Sequence, residues 1–267
     1  MKKFLFLFLV IGSNYLALAQ STRPVFDLDH IIVWTQEGAP ELKLFEEQGF
    51  TPASFEMVHN GFGTGGKYIL FYNMMLEFIY TDKKATLDPQ LNSALPTPRT
   101  HWRKTGASPF GFGLSMSPYD TANIPFRTKE VRSPWMPPNT SLFFATSSNT
   151  HKSEPLVLIV HSTLNWAKFN TLEEVKGDIE KKVPSEDTAR RSDMLKSFTH
   201  TNGVEKLTSV KVTCKAKDFS STMKALKDID YLQIVKGKEP LLEMTFDEHR
   251  QNKTADFRPK LPVIINY

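Results

Sequence analysis

The stretch Phe26-Asp27-Leu28-Asp29-His30-Ile31-Ile32-Val33-Trp34 decides the fold. It opens with apolar and acidic residues in alternation and closes as a continuous apolar run rich in β-branched side chains. Alternation with period two marks a strand with one buried face, and the closing run marks a strand covered on both. Just downstream, residues 37–48 carry Leu42, Leu44 and Phe45 as a short amphipathic helix would, and Gly49 stops it. Residues 50–55, 67–72 and 74–80 read as three more strands, the last two joined by a tight turn at Asn73. The order is β-α-β-β-β.

The same order is expected twice more. Residues 110–116 read as a strand, 118–124 as a helical turn, and 126–131, 141–145 and 156–161 as strands. A more compact version follows, with a strand at 207–214, a helix at 220–227 and strands at 231–235 and 241–246. The third unit can be laid over the first, Leu28 on Leu207 and Leu76-Glu77 on Leu242-Glu243. Such a period suggests duplication. Between units lie a Pro-containing polar connection with Arg99, His101, Trp102 and Arg103, and a rigid loop at 133–139 carrying Trp135. Residues 172–198 read as charged helix, interrupted near Pro184, and so as a solvated connector. The expectation is an α+β protein with paired units over 25–162, a helical connector over 163–206 and a third unit over 207–267 packed on the same domain.

The 267 residues suffice for a sizeable core. Hydrophobic residues at 40% and charged residues at 23% exclude global disorder. A single cysteine, Cys214, excludes a disulfide framework and a Cys-rich metal site. The N-terminus has the layout of a secretory leader: Met1-Lys2-Lys3, an apolar run to Ile11, the break Gly12-Ser13-Asn14, then Ala17-Leu18-Ala19-Gln20. Cleavage is expected after Ala19, giving a secreted or periplasmic protein with no stable membrane insertion. The apolar run is too short to span a bilayer. Losing Lys2 and Lys3 lowers the net charge from +4 to +2, too little to argue for a nucleic-acid partner. No Ser-His-Asp nucleophile motif, His-Glu-x-x-His or Cys-x-x-Cys is present.

The opening strand with His30, the helix ending in Gln48-Gly49-Phe50, His59-Asn60-Gly61-Phe62-Gly63-Thr64, Leu76-Glu77 closing a strand, Glu154-Pro155-Leu156-Val157-Leu158-Ile159, and His200-Thr201-Asn202-Gly203 follow one another along the chain. In that order they resemble the glyoxalase-like domain of the vicinal oxygen chelate superfamily. The resemblance spans about residues 25–247. It implies repeated β-α-β-β-β units whose sheets curl into a half-open barrel around a central pocket. Many relatives hold a divalent metal there and act as lyases, isomerases or dioxygenases on small molecules with vicinal oxygens; others bind ligands without metal.

In the family pattern His30 and Glu77 face the pocket. Imidazole and carboxylate suit Zn, Fe, Ni or Mn and leave positions open for two substrate oxygens. A core histidine bonded to a neighbour is the other reading of His30. A carboxylate between Leu76 and Phe78 needs a partner if buried. His59 is then a third ligand, an acid/base group beside Glu77 or a hydrogen-bond donor to the substrate. Gly61, Gly63 and Thr64 form either a plain turn or a pocket rim whose N–H groups hold a ligand oxygen, and Trp102 and Trp135 are candidates to cover the ligand. A complete metal set would need matching residues in a second unit. The third unit offers Ser209 and Glu243, the middle unit Gly113 or Leu114 and His161. Neither supplies the four ligands of a metal glyoxalase. The alternative is a metal-free small-molecule-binding protein on the same fold.

Overall fold

The quoted stretch forms β1 (Val25–Trp34), at the middle of an eight-stranded sheet. The computed structural model describes residues 24–92 and 99–267, so the expected leader and its cleavage point lie outside the described residues. The other strands of this sheet are β2 (Pro52–His59), β3 (Thr64–Leu70), β4 (Met75–Thr81), β5 (Phe110–Ser117), β6 (Thr128–Val131), β7 (Leu142–Ala145) and β8 (Leu156–Ile159). Their order is β2-β3-β4-β1-β5-β8-β7-β6. It is symmetric about the β1–β5 pair. β1 runs parallel to β4 and β5 parallel to β8, while β1 and β5 are antiparallel.

Side-chain alternation gives the sheet two different faces. On one face Leu28, Ile31 and Val33 of β1, Leu76 and Phe78 of β4, Phe110, Phe112 and Leu114 of β5, and Val157 and Ile159 of β8 join one large core. A second sheet covers that face. It contains β9 (Leu207–Cys214), β10 (Leu232–Lys236), β11 (Leu241–Phe246), β12 (Thr254–Asp256) and β13 (Val263–Asn266), in the order β10-β9-β11-β13-β12. Val210, Val212, Leu242, Met244, Val263 and Ile265 are its contribution to the shared core. The helix Leu42–Glu47, shorter than expected, adds Phe45, whose ring stacks on Phe257 at 3.8 Å. Gly49 ends that helix at φ +84, where a Cβ would lie 2.8 Å from Thr201 Oγ1. The turn therefore needs glycine for both conformation and space.

On the other face the two ends of the sheet come into contact. Ser133 Oγ donates to the carbonyl of Asn60, and Phe62, in the β2–β3 loop, lies 6.2 Å from the rings of both Trp135 and Phe144 of β7.

Two expectations need correction. The C-terminal residues are not a third copy of the first unit: β9 lies between its parallel partner β10 and antiparallel β11, in a separate sheet. The short strands β12 and β13 also complete it, although Pro and polar residues around them hide the pattern. Nor is residues 163–206 merely a solvated connector. The helix Leu172–Lys182, capped by the Thr171 side chain, buries Val175 and Ile179. With Phe169, Val183 and Phe198 they pack on Tyr68, Leu70 and Tyr72, closing the flank of the second face. Its charged residues face outward and dominate the composition, which is why the sequence reads as solvated. No helix of the described residues is long and apolar enough to cross a membrane.

Candidate functional site

A cavity of about 240 Å3 opens on the second face. Each strand brings every second residue to it: His30, Ile32 and Trp34 from β1, Met75, Glu77 and Ile79 from β4, Leu156 and Leu158 from β8. β5 contributes no bulky side chain, because its inward positions are Gly111 and Gly113. A Cβ on Gly113 would fall 2.1 Å from His30 Cε1, so the imidazole occupies the space that this glycine leaves. A Cβ on Gly66 would meet Glu77 Oε1 at 2.6 Å and Tyr68 Oη at 2.7 Å. Two glycines thus make room for the polar groups.

These polar groups gather at one end. His30 Nε2 lies 3.7 Å from Glu77 Oε2, and His59 Nε2 lies 3.6 Å from Glu77 Oε1. All three side chains are buried. Tyr68, across from Glu77 in the β3–β4 ladder, donates its O–H to Glu77 Oε1 at 3.1 Å. Tyr68 Oη is also 3.3 Å from His59 Nε2, and His59 Nδ1 is 3.1 Å from Thr64 Oγ1. Because the carboxylate only accepts, one direction satisfies the chain: Thr64 O–H to His59 Nδ1, His59 Nε2–H to Tyr68, Tyr68 O–H to Glu77. On the other side, His30 Nδ1 bonds Asp29 Oδ1 at 2.7 Å, and Asp29 Oδ2 accepts from the Trp166 N–H at 2.5 Å.

The environment separates the two histidines. Burial opposes charge on His30, yet the hydrogen bond and charge of Asp29 and the charge of Glu77 outweigh it, and its pKa is raised. Burial wins at His59, where Glu77 is the smaller influence and His30 adds repulsion, so its pKa is lowered. Burial, with the charge and hydrogen bond of Glu77, pushes the Tyr68 phenol far up, keeping it a neutral donor.

The remaining walls are apolar: Leu142, Phe144, Leu156, Leu158, Val160 and Leu164 come from the second half of the chain's large sheet and the segment after it. Of the sequence-predicted residues, His30, His59, Glu77, Thr64 and Trp135 line the cavity. Trp102 does not line it; it packs behind the wall with Arg103 4.1 Å from its ring. The N–H groups of Gly61 and Gly63 both donate to Thr86 O, at 2.8 and 3.0 Å, so neither is free for a ligand oxygen. Both glycines do have positive φ.

Glu243 lies in the second sheet, paired with Lys211, and Ser209 sits across from Thr245 there. His161 bonds Thr163 outside the cavity. His200 accepts from Thr51 N–H through Nδ1 and meets Leu70 O through Nε2, tying β2 to β3. Arg99 is buried and donates to the carbonyls of Glu154 and Ser148, and burial lowers its pKa to about 10. Asp29 and Tyr68 are the site residues that the sequence reading missed. Asp29 adjoins His30, and Tyr68 sits two positions from Gly66 on a strand with the same alternation.

Among the described residues, no three His, Cys, Asp or Glu side chains are grouped so as to hold a metal ion. The donors that a divalent ion would take are His30 Nε2, His59 Nε2 and Glu77, all from the first half; β7 and β8 line the cavity with no histidine or carboxylate. A scan against models of known protein families finds none that matches, and a search of curated proteins finds no match either.

Proposed function

We propose that this chain is a secreted glyoxalase-like protein that takes up a small organic molecule in its cavity and holds the molecule's oxygen functions at the His30–Glu77–His59 end, without a metal. On this reading the strand order symmetric about β1 and β5 reflects two β-α-β-β-β units, curled into a half-open barrel by the contacts between Asn60–Phe62 and Ser133–Trp135. The observation that carries it is the polarity of the cavity: hydrogen-bonding side chains at one end, aliphatic and aromatic walls elsewhere. Such a site buries an apolar body and orients it through a few polar atoms. Glu77 and His59 are placed to move a proton should the bound molecule react.

The chemistry of the donor set favours a second reading, a metal-dependent lyase, isomerase or dioxygenase. His30 and His59 each engage a neighbour through Nδ1 and turn Nε2 toward Glu77, as imidazole ligands do. A divalent ion held there would supply Lewis acidity toward two adjacent substrate oxygens.

Glu77→Gln separates the readings. In the metal-free protein it removes a buried charge and keeps the Tyr68 bond, so the melting temperature holds or rises and chelator leaves the wild-type melt unmoved. One equivalent of transition metal in protein purified without a metal-binding tag, lost together with stability in Glu77→Gln, would reverse the choice. Secretion rests on the leader, and N-terminal sequencing of exported protein is expected to begin at Gln20.

A further inference from the structure

Hydrogen accounting at the polar end of the cavity narrows the ligand. The hydroxyl and imidazole donors that form hydrogen bonds there are spent on neighbours: Thr64 to His59, His59 to Tyr68, Tyr68 to Glu77 Oε1, and His30 Nδ1 to Asp29. The indole N–H groups of Trp34 and Trp135, which also line the cavity, have no partner among the described residues and are open to an acceptor such as a ligand carbonyl. Among the described residues, the Tyr68 bond is the only hydrogen bond to the Glu77 carboxylate. Its second oxygen has His30 Nε2 at 3.7 Å, beyond hydrogen-bond reach. A carboxylate that is 6% exposed therefore keeps an oxygen without a donor at the wall of an apolar cavity. Leaving such an acceptor unsatisfied is costly, more so for a charged group. Only a donor can complete that oxygen, and a hydroxyl on a bound molecule brings one.

Charge and size set the other limits. Asp29 and Glu77 are two buried carboxylates flanking His30, so an anionic ligand would add like charge to a site of low dielectric. The walls offer Ile32, Ile79, Phe144, Leu156, Leu158 and Val160. The volume of about 240 Å3 exceeds the roughly 150 Å3 that accommodates benzene, leaving room for one ring and a short substituent.

Resting on the reading of this cavity as a small-molecule site, we propose that its ligand is an uncharged molecule with an apolar, ring-sized body and a hydroxyl group, and that the hydroxyl donates to Glu77 Oε2. Carboxylates and phosphates are excluded from the same position.

Three matched probes test this on the mature full chain: 2-hydroxyacetophenone, propiophenone, which lacks the hydroxyl, and phenylglyoxylate, which is anionic. Binding is read from quenching of tryptophan fluorescence, with Trp34 and Trp135 in the walls, and from the shift of the thermal midpoint. The hydroxyketone is expected to bind about tenfold or more tighter than propiophenone, the gain of a hydrogen bond to a charged acceptor, with phenylglyoxylate weakest. In Glu77→Leu the advantage of the hydroxyl disappears while propiophenone still binds. The order in the wild type decides even if that variant fails to fold. Equal binding of the two ketones, or preference for the acid, overturns the hydroxyl assignment and leaves the cavity reading standing. Failure of all three to bind overturns both.

Discussion

Glu77 is the residue on which the sequence spoke most clearly, because a carboxylate in an apolar strand has few tolerable environments. His30 and His59 were legible for a related reason, each being a titratable side chain at a strand position. Their mutual distances were not, since these depend on the β3–β4 register and the parallel β1–β4 pairing, which no local pattern encodes. Tyr68 was missed because an aromatic in a strand is ordinary; only its place opposite Glu77 makes it part of the site. His200 carries a prediction of another kind. Burial first of all holds its pKa down at about 4, below the usual 6.5. Between these values the unfolded chain binds the proton that the folded chain refuses. Stability is thus full above about pH 6.5 and falls as the pH drops toward 4, by an amount on the order of 3 kcal/mol. Melts between about pH 7 and pH 4.5 should show this fall, and His200→Gln should flatten it.

Among the elements, β5 explains most with least. Its Phe110-Gly111-Phe112-Gly113 alternates a core face with an empty one. In the sequence the two glycines look like weak points in a strand; in the fold they are the space that the His30 ring and the Ile32 side chain fill. Gly113→Ala places a methyl where His30 Cε1 and Nδ1 now sit, and a ring bonded to Asp29 cannot simply step aside. The expected cost is about 1–3 kcal/mol of stability, with ligand binding weakened by displacement of His30. A calorimetric melt and a probe titration on the same variant check both. A melt unchanged within about 0.5 kcal/mol would mean that the imidazole has a second comfortable position. The eight strands of the large sheet were legible from alternation, with boundaries shifted by a few residues. The flank-closing helices were misread because only Val175 and Ile179 of Leu172–Lys182 are fully buried, too few to stand out against its charges.

At the scale of the molecule, the two sheets share one core, and aromatic rings mostly just outside the strands join in it. Phe45 stacks on Phe257, Phe71 meets Phe246 at 4.4 Å, and Phe50 meets Tyr267 at 5.9 Å. Phe257→Ala opens a cavity between the sheets and should cost about 3–5 kcal/mol, measured by denaturant unfolding. Because the polar end of the ligand cavity lies on the opposite face, probe affinity should change far less than stability. The recurring element order expected from the sequence pointed to three equivalent units. The structure gives two halves of one sheet and a different partner sheet, a distinction made by pairing partners rather than by element order.

That shared core also orders events in time. As the chain is synthesised, the large sheet is finished at Ile159, yet the apolar face of Leu28, Ile31, Phe110, Phe112 and Val157 stays bare until residues 207–267 have been made. Pairings this distant form late and slowly. The nascent protein therefore passes through a stage with a broad greasy surface and nothing to lay on it, which is the species a chaperone recognises and the one most exposed to aggregation.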